Sequence, residues 1–114
     1  MATIDIQTVD RDGITPTTEA VAAGGDQYAN DGRQWVEIWN DHASASRTTT
    51  IVTQLTVDGQ AVADRTVITT AANDTSRFGP FQTNIYNDSS GFVQLTYSDS
   101  GANMRIAVFE LTQS

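Results

Sequence analysis

Short runs in which apolar and polar residues alternate cover most of this chain, and turn-forming residues separate one run from the next. Arg47 to Val57, for example, is rich in β-branched residues and ends at Asp58-Gly59. Successive side chains of a strand point to opposite faces, so this alternation indicates strands with one buried face. We expect about seven or eight short strands with turns roughly every eight to twelve residues, which predicts an all-β chain folded as a single antiparallel β-sandwich, jelly-roll or Ig-like.

The chain of 114 residues is predicted to be one domain. Residues 26–114 form the sandwich, and residues 1–25 form either an arm over an adjacent subunit or a first strand of the same body. Thr18 to Gly25 is predicted to be either one helical turn or an extended segment, and Asn30-Asp31-Gly32 a turn. The other predicted strands are Ala2 to Val9, Gln34 to Asn40, Arg65 to Thr70, Phe81 to Tyr86 (opened by Gly79-Pro80), Phe92 to Tyr97 and Arg105 to Thr112.

Two strands suggest an outer face that is apolar in part. If Val36 and Ile38 point to the core, alternation places Trp35, Glu37 and Trp39 outside. In the last strand, Ala107, Phe109 and Leu111 are predicted to face inward, and Ile106, Val108 and Glu110 outward. An apolar outer face containing an acid is unusual for a lone domain and indicates contact with a partner, because tryptophan is enriched at interface hot spots.

The charged residues are unusual in kind as well as in number. All six basic residues are arginine, acids number 14, and the net charge is −8. Aspartate is short and strongly hydrated, whereas lysine carries a long apolar stem, so a lysine-free acidic surface predicts adaptation to multimolar salt. Scattered arginines on an acidic chain argue against nucleic-acid binding, which needs clustered basic residues.

Several other classes of protein and site are disfavoured. The chain has no cysteine, so disulfides and thiolate sites are excluded. No apolar run approaches the roughly 20 residues of a membrane span, and residues 1–10 do not resemble a signal peptide. We therefore expect a soluble protein that is made in the cytoplasm and does not bind a membrane.

Catalytic and metal-binding motifs are also lacking. The single histidine, His42, lies in a serine-rich loop near Asp41, where a catalytic triad is improbable. One histidine without cysteine does not make a usual zinc site, and no phosphate-binding glycine motif is present. We expect no cofactor and no enzyme activity. Solvated turns are favoured over an ion site for the loop aspartates, which are Asp26, Asp31, Asp64, Asp74, Asp88 and Asp99.

Three segments carry a resemblance to a known group of proteins: NDGRQWVEIWN (30–40), VDGQAVADRTV (57–67) and RFGPFQTNIYND (77–88). They resemble small head decoration and structural proteins of tailed bacteriophages and archaeal tailed viruses, and the resemblance extends from about Ile14 to Leu111. It implies a capsid decoration (cement) protein that binds the outer surface of the major capsid protein lattice in the virion. It also implies a homo-oligomer, with a trimer favoured.

The residues expected at the partner interface divide by chemistry. Trp35, Glu37 and Trp39 are predicted to face the partner, and Arg33, Arg65 and Arg77 are predicted to bind acidic groups of neighbouring chains. Two alternatives stay open at this point. The chain could be a head-completion or tail protein, or it could be a glycan-binding module that uses its aromatic residues.

Overall fold

The computed structural model describes residues 2–42, 44–69, 74–98 and 101–112. Within these ranges the all-β class is confirmed, but the chain forms twelve strands in three sheets and one helix rather than seven or eight strands. The elements are β1 (Ala2–Thr3), β2 (Ile6–Val9), β3 (Glu19–Val21), β4 (Asp26–Ala29), β5 (Trp35–Asn40), β6 (Arg47–Ile51), β7 (Thr56–Val57), β8 (Gln60–Ala61), β9 (Arg65–Thr69), β10 (Asp74–Phe78), α1 (Thr83–Tyr86), β11 (Phe92–Tyr97) and β12 (Gly101–Leu111).

Two larger sheets and one hairpin make up the fold. The first sheet has the order β1-β4-β11-β6-β9, and the second has the order β10-β5-β12-β2, with β3 also beside β12. The strands β1 and β4 are parallel, as are β2 and β12, while the other pairs are antiparallel, so both sheets are mixed. Strands β7 and β8 form a separate two-stranded hairpin between β6 and β9.

A single apolar core receives side chains from both larger sheets. The first sheet contributes Tyr28, Ile51 and Leu95, and the second contributes Val36 and Ile38 together with residues of β12. All five of these side chains are fully buried. The predicted inward direction of Val36 and Ile38 is therefore confirmed.

Residues 2–9 pair with both sheets of their own chain. Strand β1 lies beside β4 in the first sheet, whereas β2 lies beside β12 in the second. Between them Ile4 is buried in the core, and its backbone N–H donates to the carbonyl of Gln27 at 2.8 Å. The single strand predicted from Ala2 to Val9 is thus divided into two strands that belong to different sheets.

The prediction of faces in the last strand is wrong for five residues. Ile106 and Val108 are fully buried in the core, opposite Ile38 and Val36 of β5. Ala107 and Phe109, predicted to face inward, are buried, but they alternate with Ile106 and Val108 and so lie on the other side of the sheet; Leu111 is 62% exposed. Both alternating sets of this strand are apolar, so its pattern does not distinguish the faces; the register with β5 does.

Two further segments differ from prediction. Phe81 to Tyr86 contains the helical turn α1 instead of a strand, with Tyr86 N–H donating to Gln82 C=O at 3.1 Å. The i, i+4 spacing of Phe81 and Ile85 is the helical signal that strand alternation obscured. Thr18 to Gly25 contains the strand β3, so the extended alternative holds. Its turn ends at Gly25, where φ is +94° and a Cβ would lie 2.4 Å from the carbonyl oxygen of Leu95.

The predicted strand from Arg47 to Val57 is interrupted after Ile51. The backbone N–H of Thr53 donates to Asp64 at 2.9 Å, and the N–H of Gln54 donates to the carbonyl of Ile85 at 2.9 Å. These bonds replace a continuous ladder and start the β7–β8 hairpin. At its tip Asp58 and Gly59 have φ of 53° and 75°, the left-handed pair that a two-residue type I′ turn requires.

Candidate functional site

The outer side of the second sheet carries a group of aromatic and charged side chains that we call the tryptophan face. Strand register arranges it in three rows. Trp35 lies opposite Phe109; Glu37 lies opposite Ala107 and Arg77; and Trp39 lies opposite Arg105 and Thr75. The prediction that Trp35, Glu37 and Trp39 share the outer face of their strand is confirmed.

Glu37 occupies the centre of this face and is largely buried. Its Oε2 accepts a hydrogen bond from Arg77 Nε at 2.7 Å and another from Trp35 Nε1 at 3.1 Å. The Glu37 side chain is 10% exposed, whereas that of Arg77 is 71% exposed. The carboxylate is therefore neutralised and hydrogen-bonded within its own chain, beneath the surface that a partner would reach.

Trp35 covers a residue that the sequence had placed in the core. Its ring stacks on Phe109 with centroids 5.8 Å apart and an angle of 30° between the planes. Phe109 is almost fully buried, and Trp35 is half-buried above it. The stack belongs to the tryptophan face and was missed because Phe109 was predicted to point inward. A register prediction that placed Phe109 opposite Trp35 would have found it.

Trp39 is the second tryptophan of this face. It is half-buried, and its row contains Arg105, whose Nε and Nη2 donate to the hydroxyl and carbonyl oxygens of Thr18, each at 2.7 Å. Arg105 is thus held by its own chain beside β3. Trp39 is paired in the sheet with Arg105 on one side and Thr75 on the other, and a half-buried tryptophan in such a row is suited to packing against a partner.

The other two predicted arginines are held by different groups of their own chain. Arg33, just before β5, pairs with Asp31 at 3.1 Å and Glu110 at 3.7 Å, and donates to the carbonyl of Leu111 at 3.3 Å. Arg65 lies on β9 of the first sheet, where its Nε donates to the hydroxyl of Tyr86 at 3.1 Å. Of the six predicted interface residues, Trp35, Glu37 and Arg77 are in direct contact.

His42 has a structural role in its loop. Its Nδ1 accepts hydrogen bonds from the backbone N–H groups of Ser44 at 3.1 Å and Ala45 at 2.9 Å. The backbone N–H of His42 in turn donates to the side chain of Asn40 at 3.0 Å. A ring nitrogen that accepts two backbone donors is engaged in holding a turn, which is not the arrangement of a general base beside a nucleophile.

The loop aspartates bind nearby groups of their own turns. Asp88 accepts from the backbone N–H groups of Ser90 and Phe92 and from the Gln94 amide, and the Phe92 bond is the main cause that lowers the pKa of Asp88. The pKa of Asp31 is lowered chiefly by its hydrogen bond from Arg33. Asp99 lies outside the described residues. Among the residues described, no three His, Cys, Asp or Glu side chains form a group that could hold a metal ion.

Two tyrosines on the inner side of the first sheet have strongly shifted acidity. Burial raises the pKa of Tyr28 above its ordinary value. Burial also raises the pKa of Tyr97, and the hydrogen bond from its hydroxyl to Asp26 Oδ2, 2.7 Å long, adds to the effect. Asp26 is completely buried and also accepts from the backbone N–H of Ala22 at 3.3 Å. These groups stabilise the neutral phenols and form part of the interior.

Comparisons were made with family models, with curated proteins and with solved structures, and none of them gives a match to this chain. No helix in the described part of the chain has the length and apolar character needed to cross a membrane. By its own geometry, the tryptophan face can bury aromatic surface against a macromolecule. Its central acid, Glu37, is already paired within the chain.

Proposed function

We propose that this protein is a virion structural protein that decorates the capsid of a tailed virus. It binds the outer surface of the major capsid protein lattice through the tryptophan face and stabilises the head. The observation that carries the proposal is the pairing of Glu37 with Arg77 and Trp35. Because that charge is satisfied in the free chain, a partner can cover the neighbouring aromatic rings without burying an unpaired charge.

Three features of the chain support this function. The segments at residues 30–40, 57–67 and 77–88 resemble head proteins of tailed viruses. The net charge of −8 favours a position on the exterior, away from packaged DNA. Contacts repeated at many lattice sites give strong cumulative binding even when each contact is small. Both larger sheets contribute side chains to one core, and the tryptophan face lies on the outer side of the second sheet.

The proposal includes assembly and environment. We expect a homo-oligomer, with a trimer favoured by the resemblance, located on the exterior of the virion and lacking catalytic activity and cofactors. The lysine-free acidic surface predicts function in multimolar salt, where screening over about 3 Å or less removes most self-repulsion. Arg77, whose side chain is mostly exposed, is positioned to contact acidic groups of the capsid at the border of the tryptophan face.

Binding to assembled shells of the major capsid protein tests the proposal. In high salt, Trp39→Ala should reduce the bound fraction at least about tenfold while the free protein stays folded, because Trp39 is half-exposed and lies at the predicted contact. The matched control is Ile68→Ala, since Ile68 is 63% exposed on the first sheet. Co-sedimentation gives the bound fraction, and circular dichroism gives the fold.

Several outcomes would contradict this function. Equal binding by wild type and Trp39→Ala would remove the tryptophan face from the contact. A reconstruction of the particle that places the protein in a ring at the neck or tail would favour the head-completion or tail alternative. Absence from shells together with Trp39-dependent binding on a glycan array would favour the glycan-binding alternative.

A further inference from the structure

The β7–β8 hairpin exposes one apolar side. Leu55 and Val57 lie two residues apart and so share a face, and Val62 is joined to Leu55 by a backbone hydrogen bond of 3.4 Å across the hairpin. Leu55 is 38% exposed, Val57 58% and Val62 38%. Asp58 lies at the tip next to Val57. The hairpin therefore presents a small apolar strip that ends in a carboxylate, and nothing in the described part of the chain covers it.

A cleft of about 460 Å³ lies between the end strand of the first sheet and the loop that follows β10. Its lining includes Arg65, Phe78, Pro80, Phe81, Ile85 and Tyr86. The rings of Phe78 and Phe81 meet edge to face with centroids 6.2 Å apart, and Phe81 meets Tyr86 in the same way at 4.9 Å. These contacts, with the ring of Pro80, form an apolar wall, while Arg65, Thr66 and Gln82 make the rest of the lining polar.

Arg65 supplies a positive charge at this cleft. Its Nε is oriented by the Tyr86 hydroxyl, and no carboxylate of the described residues pairs with it. Arg33 and Arg77, in contrast, are each paired with an acid of their own chain. Two guanidinium nitrogens of Arg65 are therefore available to a carboxylate from outside, in the geometry that favours a two-point contact.

We propose that the hairpin of one copy inserts into this cleft of a second copy. Leu55 and Val57 then pack on the wall formed by Phe78, Pro80 and Ile85, and the Asp58 carboxylate binds the free nitrogens of Arg65. The two surfaces are complementary, because one chain carries both an apolar strip with an acid at its tip and a cleft in which an apolar wall lies beside an arginine that no described carboxylate pairs. Such a contact closes as a reciprocal pair or a small ring. It does not depend on whether the protein binds a capsid.

Sedimentation velocity of the full chain in multimolar KCl tests the contact. Wild type should associate. Val57→Asp should raise the dissociation constant of the association at least about tenfold, because a charge would have to be buried against the apolar wall of the cleft. Arg65→Asp should weaken association similarly, since it places like charges together at Asp58. Ile68→Asp is the control, because Ile68 is exposed at 63% outside the hairpin and cleft. All three positions are exposed, and unfolding melts verify that each variant folds.

Mixing two defective variants gives the most specific result. Val57→Asp retains an intact cleft, and Arg65→Asp retains an intact hairpin, so an equimolar mixture should associate more strongly than either variant alone. A wild type that stays monomeric at its solubility limit would overturn the proposal. The proposal would also be overturned if both variants associated as strongly as the wild type, or if the mixture associated no better than its components. These outcomes do not bear on the capsid-binding measurement. Failure of the proposed self-association can therefore be distinguished from failure of the decoration function.

Discussion

The outer faces of the two larger sheets differ in how they meet the solvent. The first sheet carries mainly hydroxyl and amide groups beside the exposed Ile68: Thr96, Thr50 and Thr66 lie side by side on three strands, and the Gln94 amide donates to Gln27 at 2.8 Å. The second sheet carries the tryptophan face around a paired acid. Small polar groups form hydrogen bonds with each other and with water, whereas covering half-buried aromatic rings lowers the free energy. The comparison indicates which side of the molecule is suited to a partner.

The largest expected difference between the faces is in stability after truncation. Trp35→Ala should lower the free energy of unfolding by about 2–3 kcal/mol, because it uncovers Phe109 and removes a donor to Glu37. Thr96→Ala, on the polar face, should change it by no more than about 0.5 kcal/mol. Denaturant unfolding in high salt measures both. Equal effects of the two substitutions would show that the faces are energetically alike.

The sheets should also differ in their response to alkaline pH, since Tyr28 and Tyr97 lie on the inner side of the first sheet. Their pKa values are raised in the folded chain, so the stability they contribute is complete below pH of about 10 and is lost as pH rises through the folded pKa values. The expected slope is about 1.4 kcal/mol per pH unit for each tyrosine. Tyr97→Phe should reduce this slope, as measured by urea unfolding at successive pH values. An unchanged slope in the variant would contradict the assignment.

A smaller effect is expected from the central acid of the tryptophan face. Glu37→Gln keeps an acceptor for Trp35 but replaces the charge-assisted bond to Arg77, which should cost about 1 kcal/mol. Asp88→Asn, in the turn that leads into β11 of the first sheet, keeps an acceptor for its backbone donors in the same way and should cost less, because Asp88 is more exposed. Unfolding midpoints at constant salt compare the two. A larger loss at Asp88 would reverse our ranking of the faces.

The sequence pattern predicted β5 correctly because only one of its two faces is aliphatic. Val36 and Ile38 alternate with Trp35, Glu37 and Trp39, so a single choice of inward face satisfied burial. The same reasoning was wrong for β12, where Ile106 and Val108 alternate with Ala107 and Phe109 and both sets are apolar. Only pairing with β5 resolves that ambiguity, and pairing between residues about seventy positions apart is not encoded in a local pattern.

The chemistry of the site was predicted less well than its location. The residue types of the tryptophan face were recognised, but the sequence did not reveal that Glu37 is paired by Arg77 of another strand. Likewise, Arg65 was grouped with Arg33 and Arg77, although it lies beside Tyr86 on the first sheet. These errors share one cause: a side chain's partner depends on which strands become neighbours, and strand order follows from the whole chain.

Strand β12 lies between β5 and β2 in the second sheet, so one of its neighbours comes from the first ten residues of the chain. During translation, β2 must wait until residues 108–111 have left the ribosome before it can acquire its partner. Nascent chains that stop earlier would expose the unpaired edge of β5, and they would be prone to aggregation or to binding by chaperones. Because β2 and β12 are far apart in the sequence, their pairing also predicts slow refolding, on the order of milliseconds to seconds.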